Sequence, residues 1–190
     1  MTKSPSDPAP RRILLAVGGG IAAYKSAIVC SRLVQSGYDV RVAMTDSAKN
    51  FIGAATMSAL SGKSAVSDSF DTDRFPLGAH IELARDVDLM VVAPATANLL
   101  GKFAHGIADD LVSTLYLQVD CPVLLAPAMS DPMWNKPSVR RNVETLRGDG
   151  VQFVGPESGW LSCRVRGEGR MSEPDSIVNA IEQYFIDHAS

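Results

Sequence analysis

The sequence predicts an α/β fold in three layers, with a mostly parallel sheet between two layers of helices. Three short apolar runs, 13–17, 88–93 and 121–126, have the length and the nearly continuous hydrophobicity of strands buried on both faces. Each run is followed by small or polar residues and then by a stretch with helical periodicity. Alternation of buried strands with helices is typical of parallel sheets that helices cover on both sides.

Length and composition indicate one globular domain. The chain has 190 residues, of which 46% are hydrophobic and 21% are charged, and its formal net charge is −3. This charge gives no reason to expect a nucleic acid or an anionic membrane as a partner. No apolar stretch is long enough to span a bilayer. Three cysteines without a CxxC motif or metal-ligand spacing indicate reduced thiols and no metal site.

The N-terminal residues differ in composition from the rest of the chain. Residues 1–11 are rich in Pro and Ser, and we expect a disordered arm there, followed by one domain over 12–190. Because the arm lacks the hydrophobic centre of a signal peptide, the expected location is the cytoplasm.

The first strand begins a predicted βαβ unit. Residues 13–17 are this strand, 21–36 a helix that Gly37 ends, and 39–44 the second strand. The apolar side of the helix is expected to contain Ala22, Ile28, Val29, Leu33 and Val34. Beyond this unit we expect helices over 51–60, 106–118, 133–147 and 174–188, an irregular segment over 61–77 and a last short strand over 152–154.

The turn after the first strand consists of three glycines, 18–20. Glycine lets the backbone approach a ligand, and the N–H groups of the turn together with the helix dipole suit a phosphate. The spacing Gly18-x-Gly20-x-x-Ala23 also fits a dinucleotide fingerprint. A tight turn without a ligand is the alternative.

The second strand ends in a polar triplet. Asp46 is a candidate for an acidic residue that binds a ribose. Thr45 and Ser47 suit a phosphate or a flavin contact equally well.

A short helix over 78–85 places His80 in its first turn. A histidine at that position suits a base near neutral pH, and a surface or capping histidine is the alternative. After the strand at 88–93, Thr96 and Asn98 can supply hydrogen bonds, and the alanines beside them leave room for a ring. Thr96 is equally suited to capping the next helix.

The stretch 127–134 begins where the strand at 121–126 ends. Its sequence, Pro-Ala-Met-Ser-Asp-Pro-Met-Trp, combines two methionines and a tryptophan with two prolines, which makes a stiff apolar wall. Ligands of open α/β sheets bind beyond the carboxyl ends of the strands, so this stretch is a candidate pocket wall. The alternative is an ordinary connection whose Met and Trp side chains belong to the core.

Residues 157–171 interrupt the alternation of strands and helices. Three glycines and three arginines surround Cys163, which indicates a flexible, basic loop without secondary structure. Arg164 and Arg166 can activate the thiol and attract an acidic substrate. A surface loop with an incidental cysteine is the alternative.

Six motifs in this order make the chain resemble the homo-oligomeric flavin-containing cysteine decarboxylases. They are Gly-Gly-Gly-Ile-Ala-Ala-Tyr-Lys (18–25), His-Ile-Glu-Leu-Ala (80–84), Ala-Pro-Ala-Thr-Ala-Asn (93–98), Gly-Ile-Ala-Asp-Asp-Leu (106–111), Pro-Ala-Met-x-x-x-Met-Trp (127–134) and Cys163 ahead of Gly-x-Gly-Arg-Met (167–171). The resemblance covers almost the whole chain. It implies a Rossmann-like, flavodoxin-like fold, FMN as cofactor, and a homotrimer or a dodecamer built from trimers, with cofactor and substrate between subunits.

The resemblance also implies roles for individual residues. His80 would be the catalytic histidine, and Cys163, in a substrate-clamp loop over 157–171, would donate a proton when the oxidised intermediate is reduced. The substrate would contact Met129, Ser130, Arg164, Gly169 and Arg170. FMN would contact Gly19, Gly20, Ile21, Thr45, Ser47, Thr96, Ala97, Asn98, Leu99 and Ala128.

Within the family, the chain is most similar to members that decarboxylate 4′-phosphopantothenoylcysteine to 4′-phosphopantetheine in coenzyme A biosynthesis. The resemblance implies that the flavin oxidises the cysteinyl side chain, so that the carbanion left by CO2 is delocalised. In the common bacterial arrangement a fused ligase domain begins where this chain ends, and we expect any synthetase to be a separate protein.

One position departs from the family pattern. Ser130 stands where the family has an Asn that is expected to hold the carboxylate and amide of the substrate. A serine hydroxyl is shorter than an Asn side chain, and Asp131 cannot replace that Asn because its carboxylate would repel the substrate's own. Two alternatives therefore stay open, a peptidyl-cysteine decarboxylase and a flavin-binding regulatory subunit with little turnover. A dinucleotide-dependent reductase is disfavoured, because no second substrate domain follows the βαβ unit.

Overall fold

Five parallel strands form the central sheet in the computed structural model, which describes residues 9–188. The strands are β1 (Arg12–Val17), β2 (Asp39–Met44), β3 (Leu89–Ala95), β4 (Val123–Pro127) and β5 (Gln152–Phe153). Their order in the sheet is β2-β1-β3-β4-β5, so the predicted strands are confirmed to within about two residues at each end. Because β2 and β3 lie on opposite sides of β1, a crevice opens beyond the carboxyl end of β1.

Helices cover both faces of the sheet, as predicted. They are α1 (Ala23–Gln35), α2 (Ala54–Ser61), α3 (Ala79–Ala84), α4 (Ala97–Ala104), α5 (Leu111–Gln118), α6 (Asp131–Trp134), α7 (Pro137–Gly148) and α8 (Pro174–Asp187). Helices α1, α2 and α8 pack on one face, and α3, α4, α5 and α7 pack on the other. The Rossmann-like, three-layer prediction is therefore confirmed.

The alternation of side chains along each strand divides the core into two layers. In β1, Ile13, Leu15 and Val17 face the α1 side, whereas Leu14 and Ala16 face the α4 side. All five side chains are fully buried. This burial on both faces explains the continuous hydrophobicity of the strand, and it fixes the position of the turn that follows Val17.

The apolar side predicted for the first helix is partly wrong. Ile28 and Val34 are 39% and 36% exposed, whereas Lys25 is only 4% exposed and Ser26 is fully buried. The hydroxyl of Ser26 donates to the Ala93 carbonyl at 2.5 Å. The buried face of α1 therefore includes these two polar residues, and both form hydrogen bonds inside the protein.

The helix predicted over 133–147 is two helices. The chain leaves helical geometry at Lys136, where ψ is 134°, because the following Pro137 disfavours the helical region for the residue before it. Helix α6 ends at Trp134, and α7 begins at Pro137. Proline suits this first position, because an N–H group there would have no hydrogen-bond partner within the helix.

Two other boundaries also differ from prediction. Helix α5 begins at Leu111 rather than Gly106, because Asp110 is its N-cap and accepts the N–H of Ser113 at 2.8 Å. The predicted helix over 51–60 begins at Ala54, after a 3-10 turn over Asp46–Asn50.

The segment 157–171 is not a loop without secondary structure. It contains β6 (Glu157–Trp160) and β7 (Arg166–Arg170), which pair as an antiparallel hairpin apart from the main sheet. We call this segment the clamp hairpin. Its high content of Gly and Arg hides the alternation by which strands are recognised in a sequence.

The predicted disordered arm falls largely on residues 1–8, which lie outside the described residues. Arg11 is held in place, since its carbonyl accepts the N–H of Asp39 at 2.9 Å. Within residues 9–188, none of the helices combines the length and the hydropathy needed to cross a bilayer.

Candidate active site

A large cavity lies beyond the carboxyl ends of β1, β2, β3 and β4. Its volume is about 700 Å³, within the range of small-molecule and cofactor sites. Its walls come from the turns after β1 and β2, the start of α4, the loop after β4 and the clamp hairpin. The predicted site residues that it brings together are Gly19, Gly20, Ile21, Thr45, Ser47, Thr96, Ala97, Asn98, Leu99, Ala128, Met129, Ser130, Cys163, Gly169 and Arg170.

The glycine turn after β1 is packed tightly against its neighbours at the first two positions and is open at the third. A Cβ atom on Gly18 would lie 2.3 Å from the Pro94 carbonyl oxygen, and one on Gly19 would lie 2.2 Å from Ser47 Oγ. A Cβ atom on Gly20 would come no closer than 3.8 Å to another group. The first two glycines are therefore required by the packing of the protein itself, and the third leaves space in the cavity.

Donors and hydroxyls converge at this end of the cavity. The N–H groups of Gly19, Gly20 and Ile21 donate none of the hydrogen bonds found among residues 9–188, and they directly precede the long helix α1. Across the turn, Thr45 Oγ1 and Ser47 Oγ lie 3.1 Å apart. Unused N–H groups at a helix N-terminus together with two hydroxyls form a site that suits one phosphate group.

The start of α4 forms a further wall. Thr96 accepts the N–H of Leu99 at 3.3 Å, so this residue caps the helix and also lines the cavity. Lys102, on the same helix, donates to Asp109 at 2.5 Å and to Asp110 at 2.6 Å. Burial by itself lowers the pKa of Lys102, but these two hydrogen bonds outweigh it and raise the pKa. The ion pairs attach α4 to the segment that leads into α5.

The clamp hairpin lies directly on the loop after β4. The N–H of Met129 donates to the Gly169 carbonyl at 2.9 Å, and the N–H of Glu168 donates to Asp131 Oδ1 at 2.8 Å. Gly169 has a φ of 102°, and a Cβ atom there would lie 2.5 Å from the Met129 carbonyl oxygen. Only glycine allows the two segments to approach this closely.

Lys25 anchors the base of the clamp hairpin from α1. Its Nζ donates to the Met171 carbonyl at 2.8 Å and to Glu173 Oε1 at 3.2 Å. Arg170 pairs with the same carboxylate. The hydrogen bond from Lys25 lowers the pKa of Glu173, so this carboxylate stays ionised between two cations. The hairpin is thereby attached at its base as well as along β7.

The three thiols differ in their surroundings. Cys163 is exposed in the turn between β6 and β7, at the cavity wall. Burial raises the pKa of Cys30 and of Cys121 to about 11. The predicted reactive thiol is therefore the accessible one, whereas Arg164 beside it lies outside the wall of the cavity.

Ser130 keeps its hydroxyl free, although it occupies an N-cap position. The residue precedes α6, but its side chain makes no capping hydrogen bond and none of the other hydrogen bonds found among residues 9–188. Asp131 beside it is already bonded to the hairpin. The hydroxyl of Ser130 is therefore available to a ligand, and the carboxylate of Asp131 is engaged elsewhere.

His80 does not line the cavity of its own chain. It lies in the first turn of α3, as predicted, but α3 packs against α5 on the far side of the sheet from α1. At the other end of α3, Arg41 donates to the carbonyls of Glu82, Leu83 and Arg85. The sequence predicts that His80 lies in the first turn of a helix, but it does not show which part of the protein that turn contacts.

Several residues of the wall were not assigned individual binding roles from the sequence, although some lie in the predicted pocket wall 127–134 or in the predicted clamp loop 157–171. They are Ala22, Tyr24, Lys25, Met133, Trp160, Leu161, Ser162 and Met171. Tyr24, Lys25 and Met133 belong to motifs that were recognised, and that membership was the available signal. For Trp160 the signal was its place in the predicted clamp loop, and nothing in the sequence distinguished it from the other residues of that loop.

The charge of the cavity favours an anionic ligand. Among residues 9–188, no Asp or Glu lines it, whereas Lys25 and Arg170 do. Apolar side chains such as Ile21, Met133 and Trp160 form much of the remaining surface. A donor-rich end beside apolar walls suits a ligand that combines a phosphate with a flat ring. These features define a Rossmann-like protein that binds a flavin or a nucleotide.

Comparison with known proteins specifies the class further. The model of the Flavoprotein family matches residues 1–186, and the chain belongs to this family. A Coenzyme A biosynthesis bifunctional protein CoaBC from Bacillus subtilis is 44% identical over 180 residues, which are 95% of this chain and 44% of that protein. The chain thus spans less than half the length of this relative.

Two solved structures are similar over almost the whole chain. A mutant PPC decarboxylase in complex with pantothenoylaminoethenethiol has a TM-score of 0.84 and 30% identity, and the match covers 93% of this chain and 99% of that one. The FMN-dependent cysteine decarboxylase SpaF has a TM-score of 0.82 and 34% identity, covering 95% of this chain and 98% of that one.

Proposed function

We propose that this chain is an FMN-dependent carboxy-lyase that converts 4′-phosphopantothenoylcysteine to 4′-phosphopantetheine in coenzyme A biosynthesis, in the cytoplasm. One observation carries the proposal: a single cavity joins the phosphate-type glycine turn to a hairpin that bears an exposed thiol. The similarity to CoaBC supports the pathway, and the similarity to PPC decarboxylase supports the substrate.

The cavity fits FMN at one end. The N–H groups of 19–21 and the hydroxyls of Thr45 and Ser47 would hold the phosphate, and Gly20 leaves the space that a side chain would occupy. Residues 96–99 and Ala128 would contact the rest of the cofactor. FMN supplies the two-electron oxidation of the cysteinyl group, and the reverse reduction, that together make loss of CO2 easy.

The substrate occupies the hairpin end of the cavity. The free hydroxyl of Ser130 and the cation of Arg170 would contact the substrate carboxylate, together with Met129 and Gly169. Cys163 would donate the proton that completes the reduced product. Arg164, in the turn beside Cys163, would meet the phosphate-bearing tail of the substrate outside the cavity.

His80 acts in this proposal as a base from a neighbouring copy. It lies outside the cavity of its own chain, and the family resemblance implies that cofactor and substrate bind between subunits. Apolar side chains at the cavity rim remain exposed in one copy, among them Ile21 at 60% and Trp160 at 60%. We therefore propose a homotrimer, or a dodecamer built from trimers, in which each site combines the cavity of one copy with His80 of the next.

Mixed assembly tests this arrangement. His80→Asn and Cys163→Ser each remove one required group, and each variant alone should form no 4′-phosphopantetheine while it keeps FMN. If the two groups come from different copies, about a quarter of the sites in an equal, random mixture of the two variants contain both groups. The mixture should then recover about a quarter of the parent's activity. A mixture without any recovery would place both groups in one chain, and near-normal turnover by His80→Asn alone would return His80 to a structural role.

A peptidyl-cysteine decarboxylase is the second candidate, because the departure at Ser130 falls where the family pattern has the Asn expected to hold the substrate. Comparison of CO2 release from 4′-phosphopantothenoylcysteine and from a peptide ending in cysteine shows which of the two is the substrate.

The cofactor is tested separately. Heat should release a yellow chromophore that chromatography identifies as FMN. A flavin-loaded protein that turns over neither substrate would favour the regulatory-subunit alternative, and a colourless protein that binds NADH would overturn the proposal.

A further inference from the structure

Asp131 and Glu168 join the clamp hairpin to the loop that carries Ser130. The carboxylate of Asp131 accepts the backbone N–H of Glu168 at 2.8 Å. On the other side of Ser130, the N–H of Met129 donates to the Gly169 carbonyl at 2.9 Å. The two bonds therefore flank Ser130, and they attach its backbone to β7.

The packing around Asp131 leaves little freedom in this connection. A Cβ atom on Gly167 would lie 2.7 Å from both Cβ and Oδ1 of Asp131, so the glycine allows the carboxylate to reach the strand. Glu168 is itself held, because its carboxylate pairs with Arg140 at 3.0 Å. Arg140 also donates to Asn135 at 2.8 Å and lies 4.6 Å from the centre of the Trp134 ring.

We propose that Asp131 is a positioning residue, which holds the clamp hairpin against the cavity and thereby sets the place of Cys163 relative to Ser130. This inference rests on the proposed function for its effect on the reaction, but its structural part is independent of it. In this chain the residue after Ser130 uses its carboxylate to bind the hairpin and not the substrate. Loss of that bond would leave the oxidation unchanged and impair the step that needs the thiol proton.

Hydrogen exchange tests the structural part without any turnover. In Asp131→Ala the backbone amide of Glu168 should exchange about tenfold faster or more, because it loses a charged acceptor. Asp131→Asn keeps an oxygen acceptor at the same place, so its exchange should stay close to that of the parent. Equal exchange at Glu168 in the parent and in Asp131→Ala would overturn the proposal.

The products of a single anaerobic turnover test the effect on the reaction. The complete reaction gives the saturated thiol, whereas a reaction that stops after CO2 loss gives an enethiol with two hydrogens fewer and leaves the flavin reduced. Asp131→Ala should raise the enethiol fraction severalfold with FMN content unchanged, and Asp131→Asn should restore the parent ratio. A lower rate with an unchanged product ratio would mean that Asp131 has only a structural role.

Two further variants control these measurements. Gly167→Ala disturbs the same contact from the hairpin side, so it should reproduce both effects even if Asp131→Ala folds poorly. Asp175→Ala removes another carboxylate from the first turn of a helix, at the start of α8, and should change neither readout. If the parent releases no CO2 from either substrate, the proposed function fails, and the exchange data still decide whether Asp131 holds the hairpin.

Discussion

The wall formed by the glycine turn is packed closely against the end of β3 at Pro94 and the turn after β2 at Ser47. Much of the wall formed by the clamp hairpin is instead held by polar bonds. Gly18 and Gly19 have no room for even one additional carbon atom. By contrast, the hairpin has only short strands, Glu157–Trp160 and Arg166–Arg170, which do not pair with the main sheet. Three side chains, Lys25, Asp131 and Arg140, attach it to the rest of the protein.

The two walls suit different halves of the proposed reaction. A cofactor that stays bound needs a wall that does not move, and buried strand ends supply it. A substrate that enters and leaves needs a wall that can open, and a hairpin whose short strands lie apart from the main sheet suits that purpose. Changes in the first wall should therefore affect folding and cofactor binding, and changes in the second should affect individual steps of turnover.

The largest effect is expected at Gly18. In Gly18→Ala the new methyl group would meet the Pro94 carbonyl oxygen at 2.3 Å and Leu99 Cδ1 at 2.9 Å. Because a strand backbone cannot move aside, we expect a loss of about 3 kcal/mol or more and poor flavin retention. Gly20→Ala is the matched control, since its methyl group would meet nothing closer than 3.8 Å. Denaturant unfolding measures both, and equal stabilities would refute the rigid-wall description.

The next largest effect is expected at Cys163 in the hairpin wall. Cys163→Ser should keep the parent's fold and FMN content, because the side chain is exposed. Without the thiol proton, the reaction should stop after CO2 loss, with an enethiol product and bleached flavin. Mass spectrometry of the product and the flavin absorbance check this. Normal product at a normal rate would show that Cys163 has no part in turnover.

A smaller effect is expected at Ser130. Ser130→Asn lengthens a side chain that has no hydrogen bond among residues 9–188 and lies between two bonds to the hairpin. If it gains a hydrogen bond to the substrate carboxylate, kcat/KM should rise about tenfold to a hundredfold. If a neighbour such as Asn135 already provides that bond, the parent will be fast and the variant no better. Steady-state kinetics with both candidate substrates distinguish these outcomes. If neither the parent nor the variant turns over either substrate while both hold FMN, the decarboxylase proposal is contradicted.

The rigid wall was largely predictable from the sequence, and the reason is physical. Buried parallel strands have a continuous apolar pattern, and each ends in a turn whose glycine, hydroxyl or capping residue is visible locally. Thr45, Ser47 and Thr96 could therefore be assigned to one edge of the sheet from the sequence alone. Parallel strands with a shared edge bring such turns together without further information.

The hairpin wall was less predictable because it depends on distant contacts. Lys25 has the sequence context of an exposed residue on an amphipathic helix, and only the approach of residue 171 gives its charge a buried partner. The same limit applies to Asp131, whose acceptor role depends on a glycine 36 positions away in sequence. His80 shows the strongest form of this limit, because its proposed site belongs to another copy of the chain.

The smallest effect is expected behind the rigid wall, at Lys102. Burial is the largest single influence on the pKa of Asp110 and raises it, but the hydrogen bonds from Lys102 and Ser113 and the charge of Lys102 together outweigh burial, so the pKa lies below the ordinary 3.8. A carboxyl group whose folded pKa is lowered stabilises the protein above its ordinary pKa, and this contribution is lost as the pH falls through the lowered value. The pKa of Lys102 is raised, so its contribution to stability is fully present below the ordinary 10.5 and is lost as the pH rises through the raised value.

Lys102→Met should therefore cost about 1–2 kcal/mol of unfolding free energy at pH 7, since it leaves the half-buried Asp110 without its cation. The gap between parent and variant should shrink as the pH falls below 3.8 and through the lowered pKa of Asp110 in the parent, because the carboxylate then loses its charge. FMN content should be unchanged, because Thr96 still caps α4 and Leu99, Leu100 and Phe103 remain buried.

Lys136→Met, at an exposed lysine, is the control, and its unfolding free energy should equal that of the parent at both pH values. Denaturant unfolding at pH 7 and pH 3 decides the question: a gap of equal size at both values would show that Lys102 contributes by packing alone, and a loss of flavin would show that the rigid wall depends on this ion pair.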